Sequence, residues 1–409
     1  MMPEAWASSR VMATGGGRRS LRLVSPGRHA TLYATQFFAF GVVIPFLPAV
    51  LAARGLDAEE VAAVLAAGSA VRLLAGPLGG RAADALGTPR GVIAFAAAMG
   101  ALAALGFSAL AGFAWLMAAH ILLSAAMAPV VPLTDAVVVA AAREGRFDYG
   151  RVRAWGSIAF IAAALQGGQA VERVGPDGAL ALIALGLGVT SAVAMLLPAA
   201  PRVPRRPSGS FTAPLRVPAF RWLLLVSALM SASHAFYYAF GTLHWQAAGL
   251  GAGLIGALWA TGVVAEIALF LWGRDVVARL GPVRLGVIAA VAGAVRWAAT
   301  AFTTDPAILF PIQVLHAGSF GAQHLATMMI LARVVPAEQA GTAQTVHASL
   351  GPGLAMGGVT ALCGPLYAAA GGAGYLAMAA LCAAAVPASL ALGKALSARG
   401  AERDGLETV

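Results

Sequence analysis

Between two apolar runs the chain reads Gly80-Arg81-Ala82-Ala83-Asp84-Ala85-Leu86-Gly87-Thr88-Pro89-Arg90. Three side chains here carry charge and one in four residues is Gly or Pro, whereas residues 61–79 and 91–110 together hold a single charge, Arg72. A helix needs about 20 apolar residues to cross the hydrocarbon core of a bilayer. Each flanking run meets that length, so the charged stretch reads as a turn at a membrane surface. The same ruler, carried outward, gives twelve candidate spans near 30–52, 59–81, 91–110, 113–141, 153–173, 178–198, 219–246, 251–273, 285–302, 306–333, 341–369 and 373–396. What remains is a basic arm (1–27), a central linker (199–218) and a tail (397–409). No loop is long enough to hold a soluble domain.

Composition agrees. Of 409 residues, 60% are hydrophobic and 11% charged, against about 25% charged in an ordinary soluble domain, and the mean hydropathy is +0.81. That excludes a soluble enzyme, a DNA-binding protein and a secreted disulfide scaffold. The two cysteines, Cys363 and Cys382, sit inside apolar runs and read as small core hydrophobes. The net charge of +10 is scattered in short clusters between runs, which is a topology signal and not a nucleic-acid patch. With a cytoplasmic N-terminus, 23 of the 27 Arg and Lys residues fall on cytoplasmic segments, among them Arg18, Arg19, Arg22, Arg143, Arg146, Arg202, Arg205 and Arg206. Only Arg54 and Arg173 fall outside, and Arg72 and Arg296 lie within spans. Both termini are therefore expected in the cytoplasm, and the arm, lacking an apolar stretch with a cleavage site, reads as a retained disordered tail.

Shifted by 194 residues, the sequence lays Gly55, Leu56 and Gly68 on Gly249, Leu250 and Gly262, and Gly87 and Arg90 on Gly281 and Arg284. Alanine matches mean little in so alanine-rich a chain, but glycines at one offset across a helix and its flanking loops argue for two similar halves. The expected fold is an all-α membrane protein of twelve helices in two pseudo-symmetric bundles, 28–198 and 219–396. Pro201, Pro204, Pro207, Pro214 and Pro218 keep the linker from forming a continuous helix.

Ionisable groups kept within the spans are the strongest functional signal, because each costs about 2.5–3.5 kcal/mol at mid-membrane on insertion scales. Counted from the arginines at the span ends, Arg72 and Asp135 both lie about 12–14 Å from the cytoplasmic face, and Glu266 and Arg296 about 12 and 18 Å. Two acid–base pairs, one per half, are expected. The 194-residue shift lays Arg72 on Glu266, so the halves carry opposite charges at one repeat position. Gln36, Gln313, Gln323 and Gln344 suit hydrogen bonding to substrate or across helices, and Phe37, Phe38, Tyr237, Tyr238 and Trp245 suit an apolar wall or an interface belt. His234, His244, His324 and His347 could line a cavity or join helices, and His120 is expected at the interface. Pro129, Pro132, Pro352 and Pro365 are expected to kink their helices.

The stretch from Gly80 to Arg90 resembles the signature loop of the major facilitator superfamily, and the resemblance implies that fold, with Gly80, Asp84, Gly87 and Arg90 in a gate where a glycine packs helices closely. The second-half copy is degenerate, with Ala278 where Asp84 repeats. Phe46-Leu47-Pro48, Gly76-Pro77-Leu78-Gly79-Gly80, the run from Tyr149 to Ser157, and Leu315-His316-Ala317 with Phe320 to His324 are similar to the phenylpropionate-permease group, a relative of lactose-permease-type proton symporters. That resemblance implies that Asp135 and Arg153 hold substrate and that Glu266, Arg296 and His316 lie near the proton pathway; Arg72, Arg296, His316 and Gln36 are further candidates for substrate contact, and Asp135, Glu266 and His316 for proton coupling. Ser319 and Phe160 depart from the symporter pattern, standing where it has a proton-carrying carboxylate and a sugar-stacking Trp.

The function expected is secondary transport by alternating access in a bacterial inner membrane. The first expectation is proton symport of a small organic solute, an aromatic carboxylate before a sugar or nucleoside. Drug or metabolite efflux is the rival of the same class, and a membrane sensor the rival of another. No phosphate loop, zinc motif or paired Cys appears, so neither an enzyme nor a cofactor or metal is expected. The expected partners are a small-molecule substrate, protons and lipid, with no nucleic acid, and the expected state is a monomer.

Overall fold

The computed structural model describes residues 26–143, 147–198, 212–336 and 339–407. Most of the expected arm and linker therefore lies outside the described residues, including Arg18, Arg19, Arg22, Arg202, Arg205 and Arg206, as does Arg146 between the fourth and fifth spans. The described chain is helical and folds into rods: α1 (Pro26–Ala53), α2 (Ala58–Leu86), α3 (Pro89–Ala109), α4 (Phe113–Met127) continued by α5 (Val130–Arg143), α6 (Tyr149–Val174) and α7 (Pro176–Met195). The second set is α8 (Pro218–Ala232) continued by α9 (Ala235–Ala247), α10 (Ala252–Trp272), α11 (Arg274–Ala301), α12 (Pro306–Val314) continued by α13 (Gln323–Val334), α14 (Ala340–Ala348) continued by α15 (Leu354–Ala370), and α16 (Tyr375–Glu407).

Nine described stretches are long and apolar enough to cross a membrane. The ninth, Thr342–Ala398, turns back at Gly371, whose φ is 52°, and so contains two rods. Two more rods fall short of the same test. Gln166 and Gln169 interrupt α6, and α12 and α13 are separated by an irregular stretch. Counted this way the described chain has twelve rods, a number consistent with its twelve apolar runs.

Local chemistry sets the ends. Asp57 caps α2 by accepting from the Glu60 amide while the Glu60 carboxylate accepts from the Asp57 amide, a reciprocal capping box. Thr88 and Asp305 cap α3 and α12, each with proline at the first helical position. The left-handed glycines give the internal repeat a physical basis. Gly55 and Gly249 have φ of 89° and 88°, and Gly87 and Gly281 have 64° and 70°. Both pairs are 194 residues apart, so the matched glycines mark the same two turns, where a Cβ is disfavoured. At Gly281 the backbone leaves the helical region inside α11, so the ninth crossing starts at Pro282 and residues 274–280 form a separate turn of helix.

The fourth crossing breaks at Ala128-Pro129, where a kink is expected, because the proline cannot donate to the preceding turn. The tenth and eleventh carry π-helical turns, Ala317–Ala322 and Ser349–Gly353, each rich in glycine. The helical backbone of α16 runs to Glu407, past the residue at which a tail was expected to begin.

α1 lies along α6 and α7, and α3 along α4 and α7; α16 lies along α8 and α11. An even number of crossings puts both chain ends on one face, the terminal face. There Arg28 and Arg90 donate to the carbonyls of Leu196 and Leu197, bare acceptors at the end of α7. On the opposite face Arg54 pairs with Asp177 and donates to the Phe107 carbonyl, tying the ends of α1 and α3 to the start of α7.

The two sets meet where α6 touches α10, α2 touches α15 and α1 touches α9. Toward the opposite face this seam is backbone against backbone. Gly256 faces the Ala164 carbonyl, Gly168 faces Ala252 and Gly253, and Gly364 faces Ala58 and Glu59. Glu172 closes it further by accepting from the Gly253 amide at 3.0 Å. Along α2 the contact continues through Ser69, near Gly357, to Leu73, near Gly353. One and five residues further on, Leu74 and Leu78 are 68% and 60% exposed. The seam is thus shut on the opposite face, while toward the terminal face α5, α13 and α14 make their main contacts within their own sets.

Candidate functional site

The second half builds a polar centre from three rods. Arg296, on α11, is fully buried. Its Nη1 donates to His316 Nδ1 at 3.0 Å and Ser319 Oγ at 3.2 Å, and its Nη2 donates to Gln313 Oε1 at 2.9 Å. The Trp297 and Tyr237 rings lie 4.3 and 5.0 Å from the guanidinium carbon. Three hydrogen bonds involving a charge, each worth about 1.5–3 kcal/mol, and two ring faces offset the desolvation of the cation. Among the described residues no carboxylate touches it. Gln313 Oε1 also accepts from the Tyr237 hydroxyl at 3.2 Å, leaving the Gln313 amide nitrogen buried without a partner.

These contacts decide the tautomer of His316. Arginine has donors and no acceptor, so Nδ1 presents its lone pair and the ring proton sits on Nε2. Nε2 lies 3.4 Å from Glu266 Oε2. The chain Glu266, His316, Arg296 therefore runs acid, neutral ring, cation. Glu266 and Arg296, expected as a pair, are joined through an imidazole and not directly. The π-helical turn and the preceding break let Gln313, His316 and Ser319 converge on one side chain of α11, which a straight helix would spread around its axis.

The first half repeats the scheme with other chemistry. Asp135, on α5, accepts from the Tyr33 hydroxyl of α1, and from Tyr149 at 3.3 Å. Arg153, on α6, lies over the Phe37 and Tyr33 rings, 4.2 and 5.3 Å from their centroids. A ring again stands between carboxylate and guanidinium. Gln36 is fully buried, accepts from Thr134 at 3.1 Å, and leaves its amide nitrogen without a partner. Across the seam, Glu266 is within electrostatic reach of Arg153 and of His324.

Several expectations need correction. Arg72 does not join Asp135; its Nε donates to the Gly68 carbonyl of its own helix at 3.2 Å and its Nη2 lies 3.4 Å from Ser69 Oγ, while Asp135 accepts from Tyr33 and Tyr149. His120 is not interfacial: it is 3% exposed, lies beneath Gly68 and sits 3.3 Å from Ser124 Oγ. Its counterpart is His316, which lies beneath Gly262, so each half seats a histidine under the repeated glycine. In the signature loop Gly80 has open space where its Cβ would be, and the close-packing glycine is Gly79, against Pro129. Gly87 ends α2 in the left-handed region, Arg90 serves the Leu197 carbonyl in its own half, and Asp84 is exposed. The aromatic residues form no single wall. Phe37 faces Arg153, Phe38 lies near Gly186 of α7, and Tyr237 stacks on Trp259 at 4.1 Å. Tyr33, Tyr149 and Ser319 had no site role by sequence. Tyr33 lies one helical turn before Phe37 and Gln36, a spacing that places it on their face but does not identify its partner.

A model of the MFS_1 like family matches residues 28–376, and the chain belongs to that family. It is a multi-pass membrane transporter of the major facilitator kind and not an enzyme. Over 350 residues it is 33% identical to a probable 3-phenylpropionic acid transporter of Escherichia coli (strain K12), covering 82% of this chain and 89% of that one. Over 339 residues it is 28% identical to a maltose permease of Geobacillus stearothermophilus, covering 79% and 82%. In fold it is similar to the crystal structure of the nucleoside transporter NupG, with a TM-score of 0.77 at 18% identity over 90% of this chain and 99% of that one.

Proposed function

We propose that the protein is a proton-coupled symporter that imports a small organic solute, an aromatic carboxylate before a sugar or nucleoside, across a bacterial inner membrane. The observation that carries this reading is Arg296: a buried cation among aromatic rings, held by neutral partners and linked to Glu266 through His316. A carboxylate with an aromatic body matches both features, and the 33% identical relative is described by that chemistry. The Arg and Lys distribution puts the terminal face, with both termini, in the cytoplasm. The conformer described is then closed outside and open inside.

In this reading Glu266 takes the proton. His316 cannot hold a second one while Arg296 donates to Nδ1, so it relays the state of Glu266 to the arginine. Neutralising Glu266 releases His316 and frees Arg296 to meet an incoming carboxylate. Asp135, Tyr33, Arg153, Arg72 and Gln36 form the facing wall, and the bundles 28–198 and 219–396 rock about the site. Asp84, Gly87, Arg90 and the neighbouring Gly79 govern the inner gate. The transporter acts as a monomer. Uptake of labelled 3-phenylpropionate, maltose and a nucleoside into proteoliposomes, with and without an imposed pH gradient, tests the substrate, and inverted vesicles test direction. Substrate-linked proton entry should disappear in Glu266→Gln and weaken in Asp135→Asn. Full coupling in both variants would refute the assignment.

A further inference from the structure

Resting on the proton-coupled reading above, we propose that His324 is the residue through which the proton leaves Glu266 for the cytoplasm. His316 and Phe320 stack with ring centroids 5.0 Å apart, and His324 follows four residues further along the tenth crossing. Glu266 and Phe270 recur at the same spacing on α10. The two helices meet rung by rung. Glu266 lies beside His316, Phe270 and His324 have ring centroids 6.4 Å apart, and Gly321 lets the helices close between them, since a Cβ there would lie 3.2 Å from the Glu266 Cγ and 3.6 Å from the Phe270 ring. His324 is thus one rung nearer the terminal face than Glu266. Unlike His316, which is 8% exposed, it is an exposed residue, and among the described residues no arginine donor occupies a ring nitrogen.

The charged and titratable groups around His324 come from three elements. Glu266 of α10 and Arg153 of α6 act on it electrostatically, and it acts on His347 of α14. His347 Nε2 lies 2.8 Å from Ser227 Oγ, and Ser227 lies 3.5 Å from Thr327 Oγ1, so that ring is tied to α8 and α13. The proton balance is simple. The Glu266 carboxylic acid gives its proton to the free ring nitrogen of His324, leaving carboxylate and imidazolium. The imidazolium, repelled by Arg153, gives the proton to cytoplasmic water and returns to the neutral ring. Glu266, now anionic, recovers the proton of His316 Nε2 as its hydrogen-bond donor.

The test uses His324→Asn and His324→Gln in proteoliposomes with 3-phenylpropionate as probe. Net proton-coupled uptake requires deprotonation in every cycle, whereas exchange of internal for external substrate does not. Both variants should lose about tenfold or more in net coupled uptake and keep exchange within about twofold of wild type. Imidazole supplied on the cytoplasmic side should restore part of the loss in His324→Asn. Net coupled uptake at the wild-type rate in both variants would overturn the proposal, as would equal loss of uptake and exchange. Absence of substrate-linked proton entry in the wild-type protein would instead refute the coupled reading, and this inference with it.

Discussion

In the proposed orientation, with the terminal face in the cytoplasm, replacing Gly256 with valine should trap the transporter open to the outside. An added Cβ would sit inside any non-bonded contact distance of the Ala164 carbonyl oxygen, 3.1 Å from the Ala164 carbonyl carbon and 3.5 Å from the Gly168 Cα. All three atoms are backbone, so no rotamer change relieves the overlap, and α10 must move away from α6 to restore ordinary contact. Overpacking of this kind costs about 1–3 kcal/mol. The cost falls only on the conformer in which the seam is shut, so at about 2 kcal/mol the equilibrium shifts roughly thirtyfold toward the outward-open state. A cysteine at Ala62, which lies near Gly364 on the same seam, reports the change. Maleimide added from outside should label it many-fold faster in Gly256→Val than in the parent, with uptake largely lost. Gly256→Ala should show a smaller shift in the same direction. Unchanged labelling with uptake preserved in Gly256→Val would refute the claim that backbone contact here holds the outer side shut.

Glu172→Ala removes an acceptor from the start of α10 across the seam. The loss of a helix cap, about 0.5–2 kcal/mol, should shift the same labelling assay in the same direction by roughly three- to thirtyfold. Arg296→Lys should raise the KM for an anionic substrate at least tenfold, because an ammonium cannot serve His316, Ser319 and Gln313 at once; uptake kinetics that match wild type would contradict the role given to the guanidinium. By contrast, Asp177→Asn should alter stability by less than about 1 kcal/mol in thermal unfolding. Asp177 is 63% exposed, and exposed ion pairs contribute little, while Arg54 keeps the Phe107 carbonyl.

The number of crossings, the two-half repeat and the presence of ionisable groups at mid-depth were legible in the residue string because each depends on local properties. Apolar length decides whether a segment crosses, and glycine at one offset decides where the chain adopts a left-handed turn. Gly55, Gly87, Gly249 and Gly281 show this directly: all four have a positive φ. The candidate charges were visible for the same reason, since Arg296 or Glu266 in an apolar run is costly wherever it points.

Which charge meets which partner was decided by tertiary structure alone. Asp135 faces Tyr33 and Tyr149, Arg72 folds back on its own helix, and Arg296 reaches Glu266 only through His316. Depth along a helix can be counted from sequence at 1.5 Å per residue, but the direction a side chain takes around the axis depends on how the rods are rotated and broken. The proline break between α4 and α5 and the π-helical turn after His316 change that rotation by amounts no periodicity records. Composition and spacing thus place these groups at their level in the membrane, while helix breaks and packing choose their neighbours.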